Sequence, residues 1–285
     1  MFKALFGDKI WCFGVWMNDG AVMKPIQLLL AIVAIMAIAY MLGNVNTAIL
    51  LTKLIYKEDI RTKGSGNPGM TNVMRNYGWL PALVTLIGDM AKCMLAMTAG
   101  TLIYGLLGAY IAGLFCVLGH IAPIIYGFKG GKGVSSSAMF VLYVNPVAFL
   151  IVFGIFALIL MGPKYLSLSS VGTVGLMPII LYRIESIMNP TIAMYYAPIK
   201  VAITLLIAFV VIYMHRENIK RIMNKTERRF SFKRTVKKGQ EMTEVQPVEP
   251  FIEEDDEYEY IYEELTDEVV ARKEQNRKKS KSKKK

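Results

Sequence analysis

Only two histidines and three cysteines occur in 285 residues, and their positions exclude several chemistries. Cys12, Cys93 and Cys116 have no paired spacing, so the sequence carries neither a disulfide framework nor a Cys/His zinc site. His120 and His215 lack the carboxylate of a His-x4-Asp pair, because Ile125 and Lys220 stand where the Asp would be. No GxSxG nucleophile elbow is present. A Gly-Lys pair exists at 131–132, but Tyr126 replaces the earlier glycine of a Walker A loop and Gly133 replaces its Ser or Thr, so no nucleotide hydrolase is implied. Charge is absent from long stretches: residues 26–43 (IQLLLAIVAIMAIAYMLG) have none. Asp89 is the one acidic residue well inside an apolar run, with Lys92 three residues on. An intramembrane charge needs a partner, so the two form a structural ion pair or line a site.

Hydrophobic residues make up 54% of the chain and mean hydropathy is +0.40, above the level of an ordinary soluble domain. The apolar residues are gathered into runs at about 26–43, 79–97, 99–126, 134–161, 166–182 and 197–214. Runs of about 18 apolar residues are read as transmembrane helices. A soluble helical core would show a polar face, and these runs show almost none. The first run starts after 24 residues and no small-x-small cleavage site follows it, so it is read as a retained helix. The region 134–161 is too long for one helix and divides at Asn145-Pro146, because the residue before proline disfavours helix. The expectation is an all-α integral membrane protein with about seven transmembrane helices, at 26–55, 79–97, 99–127, 134–145, 147–162, 166–184 and 197–214. An N-terminal extension (1–25) precedes this membrane domain (26–227), and a charged tail (228–285) follows it.

Net charge is +11, yet residues 228–285 hold 15 basic and 14 acidic residues, so the excess belongs to the membrane part. The segments after the first, third, fifth and seventh helices carry most of it, including Arg61, Arg75, Lys129, Lys132, Arg216 and Lys220. The opposite connections hold little beyond Arg183 and Lys200. This asymmetry puts the basic side and the tail in the cytoplasm of a multi-pass cell-membrane protein. Lys3, Lys9 and Lys24 argue mildly the other way. The excess also suits an anionic substrate. In the tail, EEDDEYEYIYEELTDE precedes RKEQNRKKSKSKKK; such charge blocks are read as disordered, with an interaction tail or a lipid anchor as alternatives.

Four polar segments fall on the basic side. In GSGNPGMTNVMR (64–75), Gly64, Gly66 and Gly69 allow positive φ and an anion-binding nest of amides. Ser65, Thr71 and Asn72 add hydrogen-bond donors, and Arg75 adds a charge suited to phosphate. In GHIAPIIYGFKGGKGVSSS (119–137), Gly130, Gly131 and Gly133 alternate with Lys129 and Lys132 ahead of a helix, again the elements of a phosphate cradle. Each segment alone is also compatible with an ordinary turn. YLSLSS (165–170) reads alone as helix capping. In HRENIKRIMNKTE (215–227), His215 and Asn218 share a helix face.

Taken together and in this order, GSGNPGMTNVMR, GH-x-x-P-x5-KGGKGV, YLSLSS and HREN-x-x-R closely resemble the bacterial membrane acyltransferases that move an acyl chain from acyl phosphate to glycerol 3-phosphate. The resemblance covers about 26–227. It implies seven transmembrane helices, a site at the cytoplasmic face, lysophosphatidic acid as product, and a soluble enzyme that supplies the acyl phosphate. It implies no cofactor, no metal and no nucleic-acid partner. Functional positions carry over to Ser65, Asn67, Thr71, Asn72 and Arg75, to His120, Lys132 and the neighbouring glycines, to Ser167, and to His215 and Asn218. Cys93, Asn44 and Lys225 depart from the family's usual residues. The expected mechanism is direct attack. The first motif holds one phosphate, Lys132 and Arg75 hold the other, and His215 and Asn218 position the 1-hydroxyl of glycerol 3-phosphate. A different class, a transporter of a phosphorylated solute, predicts polar residues at mid-span. Here the polar chemistry gathers at one face.

Overall fold

The computed structural model describes residues 24–188 and 190–230, apart from the side chains of 189–197. All of them belong to one compact unit. The expected N-terminal extension up to residue 23 and the tail beyond residue 230 lie outside the described residues. Among the described residues every regular element is a helix.

Helix α1 (Pro25–Asn44) opens on a proline whose fixed φ suits the first helical turn. The expected single helix over 26–55 is interrupted at Val45-Asn46. Asn46 adopts extended backbone and its side chain accepts from the Ile49 amide at 3.0 Å, starting α2 (Thr47–Leu51). A π-helical turn (Thr52–Tyr56) follows and stops at Lys57 in the left-handed region. Helix α3 (Met70–Tyr77) is short and amphipathic.

Helix α4 (Trp79–Ile121) is 43 residues long but reverses at Tyr104 and Gly105, where φ/ψ leave the helical region and Gly105 has φ +59°. The reversal is visible in its contacts. Lys92 Nζ lies 2.8 Å from His120 Nδ1, whereas a straight helix would separate the two residues by roughly 40 Å at about 1.5 Å per residue. The two arms therefore run antiparallel. The break falls several residues beyond the expected one, because the apolar composition runs on unchanged through it.

Helices α5 (Val134–Val144) and α6 (Pro146–Met161) meet at the expected Asn145-Pro146 boundary, and the Asn145 side chain caps α6 by accepting from the Ala148 amide at 3.0 Å. Then come α7 (Leu166–Met188), α8 (Pro190–Met214) and α9 (Arg216–Met223). The apolar part of α8 and α9 meet at a 56° bend at His215. By length and composition, Pro25–Tyr56, Trp79–Tyr126 and Leu166–Met188 suffice to cross a membrane, and the bent pair makes a fourth; α5 and α6 are shorter apolar helices. Each apolar segment expected from sequence is helical.

The core lies between α1, both arms of α4, α5, α7 and α8, around Ile35, Met97, Tyr110, Phe140, Met177 and Ile207. Tyr110 and Phe140 pack edge to face at 5.3 Å. Outward positions are also apolar: Leu150, Phe153 and Leu158 on α6 and Phe209 on α8 are each more than half exposed. Water would disfavour such a surface, and lipid solvates it. A second apolar cluster (Ile49, Ile60, Val73, Met74, Ala82) lies under the loop between α2 and α3 and supports the first motif.

Candidate active site

The first motif is a tight loop built around Asn72. This side chain is 2% exposed and its hydrogen-bonding groups are all engaged. Nδ2 donates to the carbonyls of Ile60 (3.2 Å) and Lys63 (2.9 Å), while Oδ1 accepts from the Ser65 amide (3.1 Å) and from Asn76 Nδ2 (3.1 Å). Asn72 was expected to hold phosphate. In this structure it folds the loop from within, with its amide engaged by four partners. Asn46 Nδ2 donates to the Pro68 carbonyl at 3.2 Å and pins the other end of the loop. Gly64 and Gly66 adopt positive φ (+57° and +71°), and Gly69 caps α3. Ser65 lies exposed on the loop, with Asn67 and Thr71 half-buried beside it. Among the described residues, no hydrogen bond joins these three side chains to the second motif.

In the second motif two of the glycine amides are engaged by the backbone. Gly131 donates to the His120 carbonyl at 3.0 Å and Gly130 to the Ile121 carbonyl at 3.2 Å. These two amides, expected to cradle an anion, strap the loop onto the end of α4 in this structure. A Cβ at Gly131 would sit 2.2 Å from His120 Nε2, so only glycine fits against the ring. His120, expected to bind substrate, is buried behind the loop. Its Nδ1 faces Lys92, and Lys92 pairs with Asp89 at 3.0 Å and donates to the Gly43 and Val45 carbonyls at 3.2 and 2.6 Å. Asp89 and Lys92 are therefore a structural ion pair, the first of the two alternatives. Gly133 caps α5 with φ +80°, and Lys129 is exposed.

What the loop does present is Lys132. Its Nζ donates to Asn218 Oδ1 on α9. Asn218 Nδ2 in turn donates to Glu227 Oε1 (2.7 Å) and to Ser167 Oγ (3.3 Å) at the start of α7. Ser167 also donates to Glu227, and Arg221 Nε reaches Glu227 Oε2 at 2.8 Å. The other serines of YLSLSS do not cap the helix but bond back along it: Ser169 and Ser170 donate to the carbonyls of Tyr165 and Leu166, four residues earlier. His215 stands at the bend. Its Nδ1 lies 2.7 Å from the Val211 carbonyl, which can only accept, so Nδ1 carries the hydrogen and Nε2 keeps its lone pair.

The charges converge on the same place. Burial lowers the Lys132 pKa to about 8; Glu227 opposes this, while Arg221 and Arg75 add to it. Burial also lowers Arg75, which feels Arg228, Glu227 and Arg221. For Glu227, burial acts to raise the carboxyl, but hydrogen bonds from Ser167, Asn218 and Arg221 outweigh it, and the net shift is downward.

The fold thus gathers Arg75, Lys132, Ser167, His215 and Asn218, one or two from each of the four motifs. It leaves Ser65, Asn67, Thr71 and Lys129 on the flanking loops. Arg221, Glu227 and Arg228 join the cluster without having been expected there. The sequence signals for Arg221 were its place as the closing residue of HREN-x-x-R and its spacing of three residues from Asn218 on one helix face. Glu227 closes the fourth segment and keeps the Glu of the resembled family's Gly-Thr-Glu, but its part in the site was not legible, since it meets Asn218 only after the chain leaves α9.

A family model described as glycerol-3-phosphate acyltransferase matches residues 33–225. The glycerol-3-phosphate acyltransferase of Finegoldia magna is 36% identical over 190 residues, covering 67% of this chain and 91% of the relative. That of Clostridioides difficile is 37% identical over 208 residues, covering 71% and 97%. Two crystal structures of PlsY, an integral membrane glycerol 3-phosphate acyltransferase, share the fold. Its glycerol 3-phosphate form has a TM-score of 0.61 at 29% identity, covering 70% of this chain and 96% of the other. Its lysophosphatidic acid form gives 0.60 at 28% identity, with the same coverage.

Proposed function

The chain belongs to the glycerol-3-phosphate acyltransferase family, and we propose that it transfers an acyl group from acyl phosphate to the 1-hydroxyl of glycerol 3-phosphate at the cytoplasmic face of the membrane. The observation that carries this reading is the convergence of Lys132, Arg75, Ser167, Asn218 and His215 at one end of the helical bundle. A partly buried cationic cluster beside apolar helices suits a phosphate head with an acyl tail.

Acyl phosphate is already activated, so a protein nucleophile is unnecessary. The 1-hydroxyl oxygen forms the new ester bond at the acyl carbonyl carbon, the bond from that carbon to the phosphate oxygen breaks, and inorganic phosphate leaves. Lys132 and Arg75 neutralise the charge that grows on the leaving phosphate. Ser167 and Asn218 orient the bound glycerol 3-phosphate. The unprotonated Nε2 of His215 is placed to accept the hydroxyl proton, and a phosphate oxygen is the alternative acceptor. Asn72, His120, Gly130 and Gly131 act behind this surface by holding the two loops in shape. The acyl tail lies between helices toward the bilayer, and a soluble enzyme supplies the acyl phosphate.

The test is purified protein with acyl phosphate and labelled glycerol 3-phosphate. Labelled lysophosphatidic acid formed without acyl-CoA supports the reading. Uptake of glycerol 3-phosphate into vesicles with no acylated product would support a transporter instead.

A further inference from the structure

We propose that Glu227 is a positioning residue of this site: its carboxylate holds the Asn218 amide so that the acceptor Oδ1, and not the donor Nδ2, faces Lys132. The inference rests on the reading above, because it concerns how that site is set for phosphate.

The argument begins with what each group is able to do. An asparagine amide turned by half a circle exchanges its donor end for its acceptor end at little cost in shape. Here both neighbours select the same orientation. Lys132 carries an ammonium that can only donate, and an ionised Glu227 can only accept. Asn218 Nδ2 donates to Glu227 Oε1 at 2.7 Å, and Lys132 donates to Oδ1 at the other end. Ser167, the third neighbour, accepts from Nδ2 at 3.3 Å, but a hydroxyl also donates, so it selects neither orientation alone. Glu227 is thus the neighbour beyond Lys132 that fixes which end of the amide points toward the substrate side.

The carboxylate is itself held. It is 8% exposed and takes hydrogen bonds from Ser167 on α7 and from Asn218 and Arg221 on α9. Three neighbouring donors keep it ionised, in line with its lowered pKa. It is also the carboxylate that acts on Arg75, Lys132 and His215 alike. The groups facing Lys132 are Glu227, Arg221, Arg75 and His215, with Asn218 in direct contact. Removing the one negative charge leaves Lys132 among cations, so its proton is lost at lower pH.

The experiment is a mutant cycle on the full-length protein in detergent, using Asn218→Ala, Glu227→Gln and the double variant, with kcat and KM for glycerol 3-phosphate measured across pH. Glu227→Gln is expected to lower kcat/KM by about 100-fold, the scale of a misplaced positioning group. The alkaline limb of its profile should move to lower pH than in the wild type. The double variant should lose no more than Asn218→Ala alone, because Glu227 acts through that amide. Wild-type kcat/KM with an unmoved limb overturns the proposal, and so do losses that multiply in the double variant. A merely structural glutamate would lower the melting temperature and leave the limb in place. If Glu227→Gln does not melt cooperatively, Glu227→Asp is the second variant. It keeps the charge but pulls the carboxylate back, so the limb should stay near the wild-type position while kcat/KM falls; full activity counts against the idea. Calorimetric binding of glycerol 3-phosphate gives a readout without turnover: weaker binding in Glu227→Gln is expected, and equal binding overturns the proposal. An active wild type with indifferent Glu227 variants rejects this inference alone. A wild type that neither binds glycerol 3-phosphate nor acylates it rejects the function as well.

Discussion

Lys132 Nζ donates to Asn218 Oδ1, and this single contact joins the Gly-rich loop before α5 to the helix that follows the 56° bend. The two residues are 86 positions apart, so the loop and the bend create one surface that neither contains alone.

Lys132→Ala removes the ammonium and keeps the loop, whose glycine amides are tied to the His120 and Ile121 carbonyls independently of it. Transfer should fall by about 100-fold or more, on the scale of removing one charge-stabilising donor. The melting temperature in detergent should stay close to wild type. Near-normal turnover would remove Lys132 from the mechanism.

The pH profile follows from the same residue. Burial brings the Lys132 pKa down to about 8, so the ammonium is complete below that pH and is lost above it. Its help in binding phosphate therefore fades as pH rises through about 8, and kcat/KM for glycerol 3-phosphate should fall there. Lys132→Arg keeps its charge at any working pH and should flatten that limb, even if its absolute rate is lower. A limb unchanged in Lys132→Arg would assign the titration to another group.

Gly131→Ala tests the packing behind the loop. The new Cβ would lie 2.2 Å from His120 Nε2, and the ring is fixed by Lys92, so the loop must move. Overpacking of this kind costs about 1–3 kcal/mol. Both the melting temperature and kcat should drop, in contrast to Lys132→Ala. An Ala variant with normal stability would mean that the ring turns aside freely.

Lys92→Met leaves Asp89 buried beside Thr47 without its cation. Breaking one half of a buried pair costs about 3–5 kcal/mol, mostly through the stranded charge. The double variant Asp89→Asn with Lys92→Met should recover part of the loss, because no charge is then stranded. Thermal unfolding of the wild type and the two variants side by side decides this.

These variants also show which parts of the molecule were legible in the sequence. Long uncharged runs gave the helices, and Asn145-Pro146 gave the boundary between α5 and α6, because hydropathy and proline act locally. The interruption at Asn46 was hidden, since its side chain caps a helix and reaches the Pro68 carbonyl 22 residues away. The same glycine-rich composition serves an anion nest and a tight strap, and only the fold reveals that Gly130 and Gly131 use their amides on α4. The four motifs pointed to one site because each carries a residue type suited to phosphate. Glu227 stood at the end of the fourth motif, but its role was not legible, because it reaches Ser167 only across 60 residues of chain.

The most direct measurement of the central claim follows phosphate and lipid together with purified protein. In direct transfer, acyl phosphate alone should release no phosphate beyond its spontaneous breakdown. Adding glycerol 3-phosphate should then give one phosphate for each lysophosphatidic acid. A burst of phosphate before glycerol 3-phosphate is added would contradict the account by revealing a covalent acyl-enzyme, and so would lysophosphatidic acid that forms from acyl-CoA but not from acyl phosphate.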